Sequence, residues 1–177
     1  MSLFLMELIV AIMFFSLAAA VCVRLFASAH IMADSTENLS NAIIWSQNLS
    51  ETFVGSRGDL SAIAELYPNG YVTYDPADQS QRDGSIVLFF NEDWELTNDD
   101  LSEASYEAIM TTSTEDASDV YADVTDYNVA LEGKASVGVI AVIDLRGADD
   151  VLSEIPEGDE KVILKNNVDT YIGKEAG

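Results

Sequence analysis

Leu3 to Val23 is a run of 21 residues in which the only charge is Glu7, and the first basic residue of the chain is Arg24. As a helix it reaches about 31 Å, which matches a hydrocarbon core of about 30 Å. Twelve of its residues are Leu, Ile, Phe or Val, together worth about −4 to −7 kcal/mol on the insertion scale. One central carboxylate costs about 2.5 to 3.5 kcal/mol, and Glu7 stands near one end, so the run is expected to enter a membrane.

Three kinds of membrane segment fit that stretch. Ala27-Ser28-Ala29 is an A-x-A site just beyond it, as in a secreted protein cut after Ala29. A plain anchor carrying an extracellular binding domain explains the hydrophobicity but gives Glu7 no role. The third starts from Glu7, because a carboxylate inside an apolar span is a functional hypothesis by default. Ser2-Leu3-Phe4-Leu5-Met6-Glu7-Leu8-Ile9-Val10-Ala11-Ile12 resembles the N-terminal signature of type IV pilins and type II secretion pseudopilins.

In that family a prepilin peptidase cuts after a small residue, usually Gly. The new N-terminus, usually Phe, is methylated and carries Glu at its fifth position. A cut between Ser2 and Leu3 puts Glu7 there, with Met1-Ser2 as the remainder of a leader. The resemblance implies other pilin-like subunits, a prepilin peptidase and N-methyltransferase, and an inner assembly platform as partners. It implies no cofactor. The new amine is cationic at neutral pH, and among apolar helices a carboxylate is its natural partner. Either charge unpaired is costly there, so pairing selects one axial register between helices.

Beyond Val23 the pattern stays helical. There is no Gly before Gly55 and no Pro before Pro68. Leu25, Ala29, Met32, Leu39, Ile43 and Phe53 recur in steps of three, four or their sums, with Ala42 and Leu49 beside them, and predict a packing face. Residues 3–55 therefore read as one stem helix of about 80 Å, residues 3–23 in membrane or filament core and the rest on a soluble domain. Ser46-Gln47-Asn48 resembles an Ala-Gln-Asn-like step in minor pilins and pseudopilins, which points to a minor subunit. His30 is the only histidine and reads as an exposed stem residue; Cys22 reads as a small apolar side chain in the span.

From residue 56 onward the chain reads as an acidic, β-rich domain. Asp59 caps a short helix ending before Pro68-Asn69-Gly70. Period-two stretches predict strands at Tyr71–Tyr74, Ser85–Phe90, Tyr106–Thr112, Val124–Leu131, Ser136–Leu145 and Lys161–Ile172, with a hairpin turn at Glu132-Gly133-Lys134 and a short helical turn at Val151–Ile155. The fold class is α+β, pilin-like in layout: a long helix against a small antiparallel sheet.

The chain holds 8 Lys and Arg against 31 Asp and Glu, a formal charge of −23. Glu7 and Arg24 cancel, so the whole excess falls beyond the span. Such a surface does not bind nucleic acid, which needs clustered cations. Asp93, Glu95, Asp99 and Asp100 are oxygen donors of the kind Ca²⁺ takes, without EF-hand spacing, and no metal site is expected. With one histidine, no CxxC, no HExxH and no glycine-rich phosphate loop, the chain carries no motif of catalysis. The expectation is a non-enzymatic filament subunit, its single span in the cell membrane and its soluble domain outside.

Overall fold

The computed structural model describes residues 2–97, 101–123, 131–147, 155–156 and 161–174. It is α+β, and the chain divides into two compact units, Met1–Ser40 and Asn41–Gly177. Helix α1, Ser2–Gly55, begins in the first and ends in the second. The second unit continues with α2 (Leu60–Leu66), β1 (Tyr71–Tyr74), β2 (Gly84–Phe90), a 3₁₀ turn (Leu101–Glu103), β3 (Tyr106–Asp116), α3 (Ala117–Val120), β4 (Lys134–Asp144) and β5 (Val162–Gly173). The five strands form one antiparallel meander in the order β1-β2-β3-β4-β5.

Strand alternation sorts the core into two faces. Ile86, Leu88 and Phe90 of β2, Ala108 and Met110 of β3, and Ile140 and Val142 of β4 join Ala42, Leu49 and Phe53 of α1 in one cluster. Val87, Phe89, Ile109, Ala141, Ile143 and Leu145 form a second cluster on the other face, with Ala104, Ile155 and Val162 against it. Fully buried Glu107 pairs there with Phe89 and Ile143 across the sheet. The central strands are therefore apolar on both sides, which is why β4 reads Val-Gly-Val-Ile-Ala-Val-Ile rather than alternating with polar residues.

The row of α1 that meets the sheet is Ala42, Ser46, Leu49 and Phe53, each at most 3% exposed. Of the expected packing residues, Ile43 and Phe53 belong to this second unit. Of Leu25, Ala29, Met32, Leu39, Ile43 and Phe53, it is Phe53 that is buried, while the other five are exposed. At 100° per residue, those five centre roughly 90° round the helix from the buried row. The buried row runs from Ala42 and Ser46 to the larger Leu49 and Phe53, and Ile43 and Ile44 lie off it and are exposed. The Ser46-Gln47-Asn48 step accordingly splits, Ser46 facing in and the other two out.

Helix α1 ends where its sheet contact ends. The Ser56 N–H donates to the Thr52 carbonyl at 2.9 Å and the Gly58 N–H to the Phe53 carbonyl at 2.8 Å, closing the last turn. Gly58 has φ +66°, and a Cβ there would sit 2.0 Å from Ser136 Oγ, so a side chain is barred both by conformation and by space. Asp59 then caps α2, its carboxylate accepting the N–H groups of Ser61 at 3.1 Å and Ala62 at 3.4 Å. Arg82 donates to the other oxygen of Asp59 at 3.1 Å.

The strand expectations hold to within a few residues for five of the six segments. The sixth, Val124–Leu131, falls almost wholly outside the described residues, as does most of Val151–Ile155; Leu131 itself is not in a strand. The Glu132-Gly133-Lys134 turn leads into β4, whose neighbours are β3 and β5. Tyr106 ↔ Asp144 through Asp116 ↔ Lys134 give β3 and β4 eleven paired positions, longer than Tyr106–Thr112 suggests. Residues 113–116 are polar and mostly exposed, so their pairing left no period-two trace.

Replacing Phe53 with Ala is expected to cost about 3–5 kcal/mol, whereas Ile43→Ala stays within about 0.5 kcal/mol. Equilibrium denaturation of the full chain in detergent measures both. Equal losses would mean that the helix rests on the Ile43 side instead.

Candidate functional site

The candidate site is the N-terminal half of α1, taken as a unit by itself. Its helix propensity is high through Leu, Met, Ala and Phe, and no Gly or Pro interrupts it. Side chains project from every side of the cylinder and none is covered. Leu3 is 86% exposed, Phe4 74%, Phe15 78% and Phe26 78%. A helix apolar all round is one that another apolar medium must surround. Among the described residues one helix is long and apolar enough to cross a membrane, and this segment is its apolar part.

Glu7 is the single acid in this cylinder before Asp34, and it is exposed. It stands four residues after Leu3, so the two share a face about 6 Å apart along the axis. Ser16 Oγ is satisfied by the Ile12 carbonyl at 2.8 Å, which leaves Glu7 as the one strongly polar group in this stretch looking outward. Cys22 is a free, exposed thiol. His30 Nδ1 lies 3.8 Å from Asp34 on a solvent-facing side, in keeping with a stem residue rather than a ligand.

Of the four candidate oxygen donors, Asp93 and Glu95 lie among the described residues. Asp93 and Glu95 lie in the β2–β3 connection, where the Asn91 side-chain oxygen accepts the N–H groups of both, at 3.0 Å and 2.9 Å. Their carboxylates are exposed, and Asp99 and Asp100 lie outside the described residues. Trp94, between them, adopts φ +61° and stacks on Tyr106 with centroids 4.1 Å apart. Arg146 covers Tyr106 at 5.0 Å. The turn is therefore shaped by the aromatic packing of Trp94. Among the described residues no three His, Cys, Asp or Glu side chains gather to hold a metal ion.

A cleft of about 310 Å³ that the sequence reading did not single out lies in the β1–β2 connection, lined by Asp75, Asp78, Arg82, Asp83 and Thr114 among others. Its carboxylates already have donors from their own chain. Asp75 takes the Ala77 N–H at 2.8 Å, and Asp83 takes the Thr114 hydroxyl at 2.7 Å and N–H at 3.0 Å. Asp78 accepts the Ser80 hydroxyl and the N–H groups of Asp83, Ser80 and Arg82, which hold it far below the usual carboxylate range. The Asp-Gln-Ser spacing at 78–80 was the available signal, since Asp two residues before Ser makes an Asx turn.

Compared with known proteins, the chain matches no family model, no curated protein and no solved structure.

Because the folded state lowers the Asp78 pKa, its contribution is complete above the ordinary carboxylate range and is lost as pH falls through the lowered value. The 78–83 loop is expected to stay closed below about pH 4, where ordinary carboxylates protonate, because Asp78 stays ionised there. Asp78→Ala should speed amide exchange in that loop at neutral pH while leaving β3–β4 protection unchanged.

Proposed function

We propose that this chain is a structural, non-enzymatic minor subunit of a type IV pilus-like or type II secretion-like filament. In this reading a prepilin peptidase cuts between Ser2 and Leu3 and methylates the new amine. The apolar half of α1 then leaves the bilayer to pack among the same segments of other subunits, and the sheet unit is carried outside. The observation that carries the reading is Glu7, a lone carboxylate four residues after Leu3 in the otherwise uncharged and exposed apolar run Leu3–Val23 of α1. The α+β layout, a long N-terminal helix followed by a five-stranded antiparallel sheet, is compatible with it.

The mechanism asks two things of the helix. Its apolar cylinder must be soluble in lipid before assembly and in a bundle of like helices afterward, and Leu, Ile, Phe and Ala serve both environments equally. It must also choose one axial position among many that bury the same area. Van der Waals packing between smooth apolar helices distinguishes these poorly, whereas an amine and a carboxylate do so strongly, because leaving either unpaired costs several kcal/mol.

The mature N-terminus in the native host tests the reading directly. Mass spectrometry is expected to find N-methylated Leu3; a start at His30, or a chain uncut before Leu3, would replace the proposal with a secreted or a merely anchored protein. Glu7→Gln leaves the amine unpaired at a cost of about 3–5 kcal/mol per contact, so recovery in sheared filaments should fall at least about a hundredfold. The membrane-fraction level of that variant should be unchanged, since removing a charge does not hinder insertion.

A further inference from the structure

Strand β5 is an edge of the sheet, twelve residues long, with β4 on its inner side. Among the described residues nothing pairs with its outer side. Natural sheets protect such an edge with short strands, bulges or cover, because a row of open N–H and C=O groups accepts another strand. The opposite edge follows that rule, since β1 has only four residues. In β5 the bulges fall at the two ends, and Leu164 to Tyr171 is regular. Lys165, Asn166 and Asn167, at its middle, are exposed.

The charges on this strand are arranged unlike those of the rest of the chain. Residues 161–174 hold three cations, Lys161, Lys165 and Lys174, against one carboxylate, Asp169, in a chain whose formal charge is −23. Lys165 and Asp169 stand two positions either side of Asn167, on the same side of the sheet. An antiparallel pairing of β5 with itself, with its two-fold axis at Asn167, therefore puts Lys165 opposite Asp169 twice. The same register sets Leu164 opposite Thr170 and Asn166 opposite Val168. A one-residue slip sends the paired charges to opposite faces, and a parallel in-register pairing sets like charges side by side. Lys165 makes no ion pair among the described residues. The Asp169 carboxylate already accepts from the Tyr121 hydroxyl, which fixes its position, and it has lone pairs left for an ammonium group.

We propose that β5 is a homotypic docking edge: two copies of this chain join antiparallel through β5 about a two-fold at Asn167, making a ten-stranded sheet with the short β1 strands at its ends. The pairing is closed, because each copy uses the one long edge that is unpaired among the described residues and offers only β1 beyond it. It concerns the sheet unit and does not rest on the filament reading.

The test uses the full chain in lipid nanodiscs or detergent, with Cys22→Ser removing the sole native thiol and a short bismaleimide as probe. Asn167→Cys is expected to give a covalent dimer. Lys165→Cys alone should not, because the two copies of that position are about 13 Å apart along the strands. A mixture of Lys165→Cys and Asp169→Cys chains should link to each other and not to themselves. Adding Lys165→Glu to the Asn167→Cys chain should lower the linked fraction about tenfold through two like-charge pairs, and Lys165→Glu with Asp169→Lys should restore it. Absence of the Asn167→Cys dimer, or equal linking at 165 and 167, overturns the proposal.

Discussion

Phe53 fastens the helix to the sheet, and much of the second unit is arranged to make room for it. Its ring lies against the backbone of β4 at Gly138, where an added Cβ would come 2.9 Å from the ring, and beside Gly58, where one would come 3.1 Å from it. At Gly138 the ring and Val168 leave no room for a side chain, and at Gly58 the ring adds to the bar set by Ser136 and the positive φ. Gly58 also turns the chain out of α1, so the residue that ends the helix also allows its last large side chain to be buried. From there Asp59 starts α2 and receives Arg82 from the β1–β2 connection, while Thr112 of β3 donates to the Arg82 carbonyl at 3.0 Å. A single close contact thus sets where the helix stops, where the next helix begins and how the first hairpin is held.

The sheet has a different economy on its two faces. The face that receives the end of α1 is filled by large side chains from the helix and by Trp45 and Trp94 around Phe90, with centroids 4.6 and 5.8 Å from it. The other face is apolar as well and includes a fully buried Glu107. A sheet buried on both sides needs continuous apolar strands, and the chain supplies them only in β2, β3 and β4. The outer strands remain polar in part: β1 is short, while β5 carries Lys, Asn and Asp in its middle. The acidic excess is thereby kept to loops and edges, where water screens it.

How much could be read from the sequence depended on the scale of each signal. The span from Leu3 to Val23 and the isolation of Glu7 are matters of composition along the chain, legible without any fold. The Asp59 cap and the turn at Pro68-Asn69-Gly70 are local chemistry, and α2 runs between them. Alternating or continuous apolar runs gave β1, β2, β4 and β5 nearly in full. The polar end of β3 was invisible, because its partners on β4 rather than its own side chains hold it in the sheet. The 75–83 cleft was also missed, although Asp78-Gln79-Ser80 contained its turn.

By itself the sequence determined that one segment is long and apolar enough to cross a membrane, that a lone carboxylate sits in it, and that an acidic α+β unit follows. These follow from residue type and order, because transfer free energies and capping act over a few residues at most. Only the tertiary structure decided which side of α1 meets the sheet. Hydrophobicity ranks Ile43 above Ala42 and Ser46, but the row at 42, 46, 49 and 53 continues at helical spacing into the large buried Leu49 and Phe53, and that row joins the sheet core. It likewise decided that β5, alone among the long strands, ends the sheet with no strand beyond it among the described residues, since strand order depends on contacts far apart in the chain and leaves no mark on any one stretch of it.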